Sequence, residues 1–417
     1  MCISVLRIAL NGWISAQYLE SKIYFTYYGF SWIKPLPEPI IYLCFGLMFI
    51  ASLGILLGLF YRISTITFFL LFTYTELIDK TYYLNHYYFV SLVSFLMIII
   101  PAHKRLSLDL KFRWTTPVYT EPQWYILILK IQVGIVYFYA GIAKINYDWL
   151  LRAMPLKIWL AANVNKPIVG QFFGNKITPF IFSWTGMLYD ISIPFFLLMK
   201  KSRIIAFCGV IVFHLLTSWL FPIGIFPFVM ILSALIFFSE EWHERIIGTF
   251  ETWLGFISHE NTITTKGFIP KWKIIILSTF IFFQLTFPLR YLFYPDNVFW
   301  TEEGYRFSWR VMLMEKMGNA TFYVTDMETG KKNLVYNREH LSLIQEKMMS
   351  SQPDMIIQYA KFLKKVWIGK GITNPKVTAD IYVTLNGERS ERFIDPDIDL
   401  SVLDDTWAHK TWILEKY

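Results

Sequence analysis

The sequence predicts a mainly α membrane protein, with about nine transmembrane helices followed by a small β-rich α+β extramembrane domain. Three observations predict it. Of 417 residues, 55% are hydrophobic and 17% charged, whereas soluble globular proteins carry about a quarter charged residues. The apolar residues gather into runs near the roughly 20 residues needed to cross hydrocarbon. From about Tyr291 onward the runs stop and charged residues become frequent.

The first run, 2–19, contains Arg7 and Asn11 and reads as a retained, partly polar helix rather than a cleaved signal. Further runs follow at 39–60, 62–79, 86–101, 123–141, 177–199, 203–221, 222–239 and 272–290. Any one of them also fits a buried core helix; the set fits a membrane bundle. Basic residues are denser in the loops on the N-terminal side, among them Lys104, Arg105, Lys111, Arg113, Lys200, Lys201 and Arg203. By the positive-inside bias that side is cytoplasmic, and an odd number of spans then puts the C-terminal domain outside. The sequence thus divides into a multi-span domain over 1–290 and an extramembrane domain over 291–417.

In the tail, Thr321–Val324 and Asn333–Tyr336 flank a polar turn and read as a hairpin. Ile381–Leu385 leads into Asn386-Gly387, a strong turn signal, with Arg392–Ile394 as the return strand. Between them, Ser350–Val366 reads as a helix, with Pro353 in its first turn and apolar residues at helical spacing.

The net charge of +8 does not indicate nucleic acid, because the basic residues lie between apolar runs and form no stripe with interleaved aromatics. Cys2, Cys44 and Cys208 are odd in number and lie in or beside apolar runs, so neither a structural disulfide nor a metal cluster is expected. The seven histidines show no ligand spacing, and no phosphate loop or nucleophile elbow is present.

Ionisable groups at membrane depth cost at least about 2.5–3.5 kcal/mol and are functional candidates by default. Three clusters qualify. Asp79-Lys80-Thr-Tyr-Tyr-Leu-Asn85-His86 packs an acid, a base, an amide and an imidazole into one short turn. Its plain reading is an interfacial turn. Lys144 ends an apolar helix with no acid in the preceding turn, and Asp148 stands four residues on as a possible partner. The plain reading is a snorkelling lysine. The sharper one is a general base, since burial disfavours the charged amine. His214, Thr217 and Ser218 share a helix face, which fits either a hydrogen-bonded bundle histidine or a ligand contact.

At these clusters the chain closely resembles the vitamin K-dependent γ-glutamyl carboxylase family. The likeness includes the family's bacterial-type homologues, which carry a horizontally transferred transmembrane (HTTM) domain. The segments that carry the likeness are Gly58-Leu-Phe-Tyr-Arg-Ile-Ser64, Leu77-Ile-Asp-Lys-Thr81 with Asn85-His86, and Ile135-Val-Tyr-Phe-Tyr-Ala-Gly-Ile-Ala-Lys144 with Asp148-Trp149. Leu220-Phe-Pro-Ile-Gly-Ile-Phe226 and Phe393-Ile-Asp-Pro-Asp397 complete an ordered set over nearly the whole chain.

The resemblance implies a lyase-type carboxylase that turns protein glutamate into carboxyglutamate. It consumes O2, CO2 and reduced vitamin K of the menaquinol or phylloquinol type, with quinone epoxidation and no metal. It implies Lys144 as the base and His86 as its assistant, with Asn85, His214, Met312 and Asp79 binding the quinone. The implied partners are membrane lipid, a lipid-soluble quinone and a Glu-containing protein or peptide, with no nucleic acid. The implied location is a bacterial inner membrane, or the endoplasmic reticulum in a eukaryote. Ala143 stands where the animal enzyme has a second lysine, so one candidate base remains. Two rival readings stay open: a quinol-oxygenating enzyme that carboxylates nothing, and a non-enzymatic membrane module displaying the β-rich domain.

Overall fold

The computed structural model describes residues 1–116, 122–254 and 270–416. The chain is mostly helical, with a small antiparallel sheet at the C-terminus. Every apolar run forms a helix, because in hydrocarbon a helix satisfies all its backbone groups internally. Among the described residues, five helices are long and apolar enough to cross a membrane: Glu38–Leu57, Trp124–Ala143, Thr178–Leu198, Arg203–Leu220 and Lys271–Phe293. At 1.5 Å per residue they are about 27–35 Å long, the thickness of a hydrocarbon core. At most half of each apolar window is buried. The rest exposes side chains such as Leu188, Ile205, Val212 and Phe282, a surface suited to lipid and not to water.

The expected nine spans reduce to five on length and composition. The first run is split into Cys2–Leu10 and Trp13–Tyr18, with Gly12 at φ +68° between them. Asn85–Ile99 and Phe226–Phe237 are apolar but short. The latter starts late because Pro222 and the left-handed Gly224 occupy the preceding turn. Tyr61–Ile78 carries Arg62, several threonines and Glu76, and is not among the five. Among the described residues a further helix, Glu240–Leu254, lies where only a loop was expected.

One helix contact positions the candidate site. A Cβ on Gly141 would lie 2.7 Å from the backbone N of Ile191 and 3.1 Å from the carbonyl carbon of Asp190. The missing side chain lets the Trp124–Ala143 and Thr178–Leu198 helices approach closely.

The sheet has strands β1 (Lys316–Asp326), β2 (Lys332–Leu334), β3 (Pro375–Leu385) and β4 (Glu391–Arg392), in the order β2-β1-β3-β4. Both expected hairpins are present, β1 with β2 and β3 with β4. Asn386 and Gly387 take φ of +52° and +75° in the second turn. The core of the sheet is a pairing no local signal announces: β1 runs antiparallel to β3 from Lys316↔Leu385 to Asp326↔Pro375. The Pro353–Gly369 helix lays Met355, Ile356, Tyr359, Ala360 and Leu363 on this sheet, all fully buried. This core is continuous with Trp149, Leu156, Leu160, Phe173, Leu220 and Phe221 from loops and helix ends of the preceding part.

The turn after Tyr61–Ile78 is locked to the tail. Lys80 Nζ is 2.5 Å from Asp354 Oδ2, and Arg306 Nη1 is 2.6 Å from the same oxygen. Burial works against the Asp354 carboxylate, but Arg306 and Lys80 outweigh it and hold its carboxyl well below the usual range. Gln358 bonds the backbone of Thr26 on both its N–H and its carbonyl.

Candidate functional site

Lys144 follows the last residue of the Trp124–Ala143 helix, and its side chain folds back along that helix instead of snorkelling outward. It is only 6% exposed. Nζ donates to Ala140 O at 3.1 Å and to Asp190 Oδ2 at 2.7 Å. The Trp149 ring centroid lies 5.5 Å from Nζ, and that ring is fixed by Trp149 Nε1 donating to Ser183 O. Asp148 is not the partner. It accepts from Arg152 and from Asn386 Nδ2 at 2.7 Å, tying the loop to the β3–β4 turn. Asp190 is the residue that sequence reasoning missed. Its signal is a carboxylate in an otherwise apolar spanning run, 46 positions from the amine it meets.

Lys144 and Asp190 line a cavity of about 110 Å³ together with His214 and Met312. The remaining walls are largely apolar and aromatic, including Val136, Phe182, Phe213, Phe221 and Phe226. His214 is buried, and its Nε2 lies 2.8 Å from the Tyr137 hydroxyl. Thr217 lines the same cavity, but its hydroxyl donates to the His214 carbonyl.

Asn85 and His86, the first residues of the Asn85–Ile99 helix, line a second cavity of about 530 Å³. Asn85 Oδ1 accepts from Tyr83 and Nδ2 donates to the Arg310 carbonyl, which orients the amide. The His86 ring lies 5.7 Å from that of Phe226. The two cavities share Ile223, Phe226, Val311 and Met312 as a common wall. His86 and Lys144 are thus brought to opposite sides of one partition, not into contact. Met312 of this wall is strained, with φ +51°, and Phe307 and Trp309 just before it take φ of +60° and +58°, a region costly for residues with a side chain. No composition signal marks such a segment.

Asp79 departs from its expected role. It lines none of these cavities. Its Oδ1 accepts from the Thr81 N–H and its Oδ2 from Gln345 Nε2, so it shapes the turn and anchors it to the tail. A third cavity, of about 540 Å³, meets the second at Glu76 and Tyr83 and contains none of the expected site residues. On the tail's surface, His409 lies between Glu303, at 3.0 Å, and Asp296, at 3.7 Å, a grouping that histidine spacing did not reveal.

It is the lining of the smaller cavity, rather than its volume of about 110 Å³, that matches the chemistry of a reduced quinone. A flat apolar ring suits its walls, and one end presents Lys144 Nζ, which donates to Ala140 O and Asp190 Oδ2. The sequence of residues 1–242 matches the family model for the HTTM domain. Residues 269–417 match the model for the vitamin K-dependent gamma-carboxylase, lumenal domain. No solved structure matches the chain.

Proposed function

Because the chain belongs to the vitamin K-dependent γ-carboxylase family, we propose that it γ-carboxylates protein glutamate at the expense of reduced vitamin K, with Lys144 as the base. The single observation that carries this reading is Lys144 Nζ, buried at the polar end of an otherwise apolar cavity beside His214 and Met312. When bound, reduced vitamin K with O2 supplies a base strong enough to take the γ-proton of glutamate, and it ends as the epoxide while CO2 is fixed.

The protein's own residues then have modest tasks. Lys144 Nζ takes the hydroxyl proton. Met312 and Phe226 hold the ring and separate it from the His86 side. Asn85, fixed by Tyr83 and Arg310, presents its amide toward the second cavity. His86 works from that side, on the glutamate. The largely apolar walls exclude water, which protects a reactive carbon from reprotonation. No metal takes part.

The same reading divides the chain into a membrane domain over 1–290, which crosses nine times with the short helices included, and an outward-facing domain over 291–417. It puts the protein in a bacterial inner membrane. The lumenal-domain match over 269–417 supports the outward placement.

The test uses purified protein with reduced vitamin K, O2, labelled CO2 and a Glu-rich peptide. Label in the peptide, lost in Lys144→Ala, is the expected result. Epoxide without label would favour the quinol-oxygenating rival. Formation of neither product, together with unchanged behaviour of Lys144→Ala in cells, would leave the non-enzymatic membrane module.

A further inference from the structure

Resting on the proposed role of Lys144, we infer that the base is a two-residue unit in which Asp190 Oδ2 stores a proton so that Lys144 Nζ is free to accept one. The observation is the 2.7 Å contact between two buried groups, made possible by the bare Gly141 backbone. Asp190 is the sole carboxylate lining this cavity among the described residues. The other titratable groups there, Tyr137 and His214, are bonded to each other and not to the pair.

The geometry poses a difficulty that the pair itself resolves. An ammonium paired with a carboxylate has no lone pair and cannot act as a base. Taking two charges out of water carries a desolvation cost, and transfer of the shared proton removes both charges at once. Moving the shared proton breaks an N–H bond on Nζ and forms an O–H bond on Oδ2. A neutral amine then stands beside a carboxylic acid, and the net charge stays zero. The amine lone pair next accepts a proton from a hydroxyl in the cavity, as an O–H bond breaks and an N–H bond forms. The pair now carries +1, directly opposite the negative charge left on the donor oxygen. The second N–H contact, to the Ala140 carbonyl, holds Nζ in place throughout. Asp190 acts through Lys144 and is a positioning residue in this scheme.

The rival is a lone neutral amine with Asp190 as scaffold. Asn would serve a scaffold, since its oxygen still accepts from Nζ, and losing the negative charge would make the neutral amine easier to form. The two therefore predict opposite outcomes for Asp190→Asn. We expect turnover to fall at least about 100-fold, the range of a lost acid–base group, with partial recovery in Asp190→Glu. Turnover within about threefold of wild type, alongside an inactive Lys144→Ala, would overturn this inference and leave the Lys144 reading intact. An active Lys144→Ala would sink that reading first.

A second arm needs no turnover. Infrared difference spectra are recorded on adding reduced vitamin K to the purified protein without O2. A carboxylic-acid C=O band, sensitive to D2O, should appear in wild type, move in Asp190→Glu and vanish in Asp190→Asn. No band in wild type, or its survival in Asp190→Asn, overturns the proposal. If Asp190→Asn does not fold, Asp190→Glu carries the same spectral test.

Discussion

Replacing Asp354 by Asn tests how the tail is held to the membrane part. The carboxylate accepts from Lys80 at 2.5 Å and from Arg306 at 2.6 Å, and the Lys80 side chain is only 1% exposed. Removing one partner of a buried ion pair costs roughly 3–5 kcal/mol, most of it from the charge left behind. Two cations would be left here, but Asp405 remains 3.7 Å from Lys80 and Gln352 still accepts from Arg306. The expectation therefore sits at the low end, about 3 kcal/mol, or over a hundredfold in the folding equilibrium. Urea unfolding of the purified protein in detergent, followed by tryptophan fluorescence, measures it. The companion Lys80→Met, and the double variant, isolate the pair: the double variant should be less destabilised than the sum of the singles. A loss under about 1 kcal/mol for Asp354→Asn, or strict additivity, would refute the reasoning.

Three further outcomes are expected, one from this clamp and two from contacts around the Lys144 cavity. Stability should fall with acid: the folded Asp354 carboxyl lies below its unfolded value of about 3.9, so its contribution is complete above that pH and fades as pH drops beneath it; melting curves between pH 6 and pH 3 read the slope. Gly141→Ala should cost about 1–3 kcal/mol from overpacking against Ile191 and should widen the Lys144–Asp190 contact, seen as a joint drop in melting temperature and turnover. His214→Phe should cost about 1–3 kcal/mol by leaving the buried Tyr137 hydroxyl unpaired, and Tyr137→Phe in that background should restore part of it.

What the sequence discloses depends on how local the cause is. Helices appear because long apolar runs have no other low-energy form in lipid, and the two hairpins appear because their turns carry their own signals. The number of crossings is harder to read. Hydropathy averages over Asn11-Gly12 and Pro222–Gly224, whereas the backbone breaks there. The β1–β3 pairing joins residues about sixty apart and has no local mark. Lys144, His86, Asn85 and His214 stand out as polar groups in apolar surroundings, and each lines a cavity. Asp79 stands out for the same reason and does another job, because a costly polar group signals a partner without saying which one. Asp190 is the converse case: it lies in a run read only for its hydrophobicity, and its partner is on another helix.

The clamp and the cavities are one construction. Asp79 and Lys80 fix the start of the turn that ends in Asn85 and His86. Arg306, in the same clamp through Asp354, is immediately followed by the strained stretch Phe307–Met312, whose last two residues, Val311 and Met312, form part of the wall between the cavities. Tyr83 closes the loop, since its hydroxyl accepts from the Phe307 N–H and donates to Asn85. Val311, Met312, Ile344 and Met348 of the tail line the second cavity, so a fault in the clamp that docks the tail should reach the site although Lys80, Asp354 and Arg306 line neither cavity. Asp354→Asn, assayed where it is still folded, should weaken glutamate-peptide use more than quinone binding, because the clamp holds the His86 side of the partition and the Lys144 pair is held by other helices. Equal losses in both would mean that the wall does not depend on the clamp in this way.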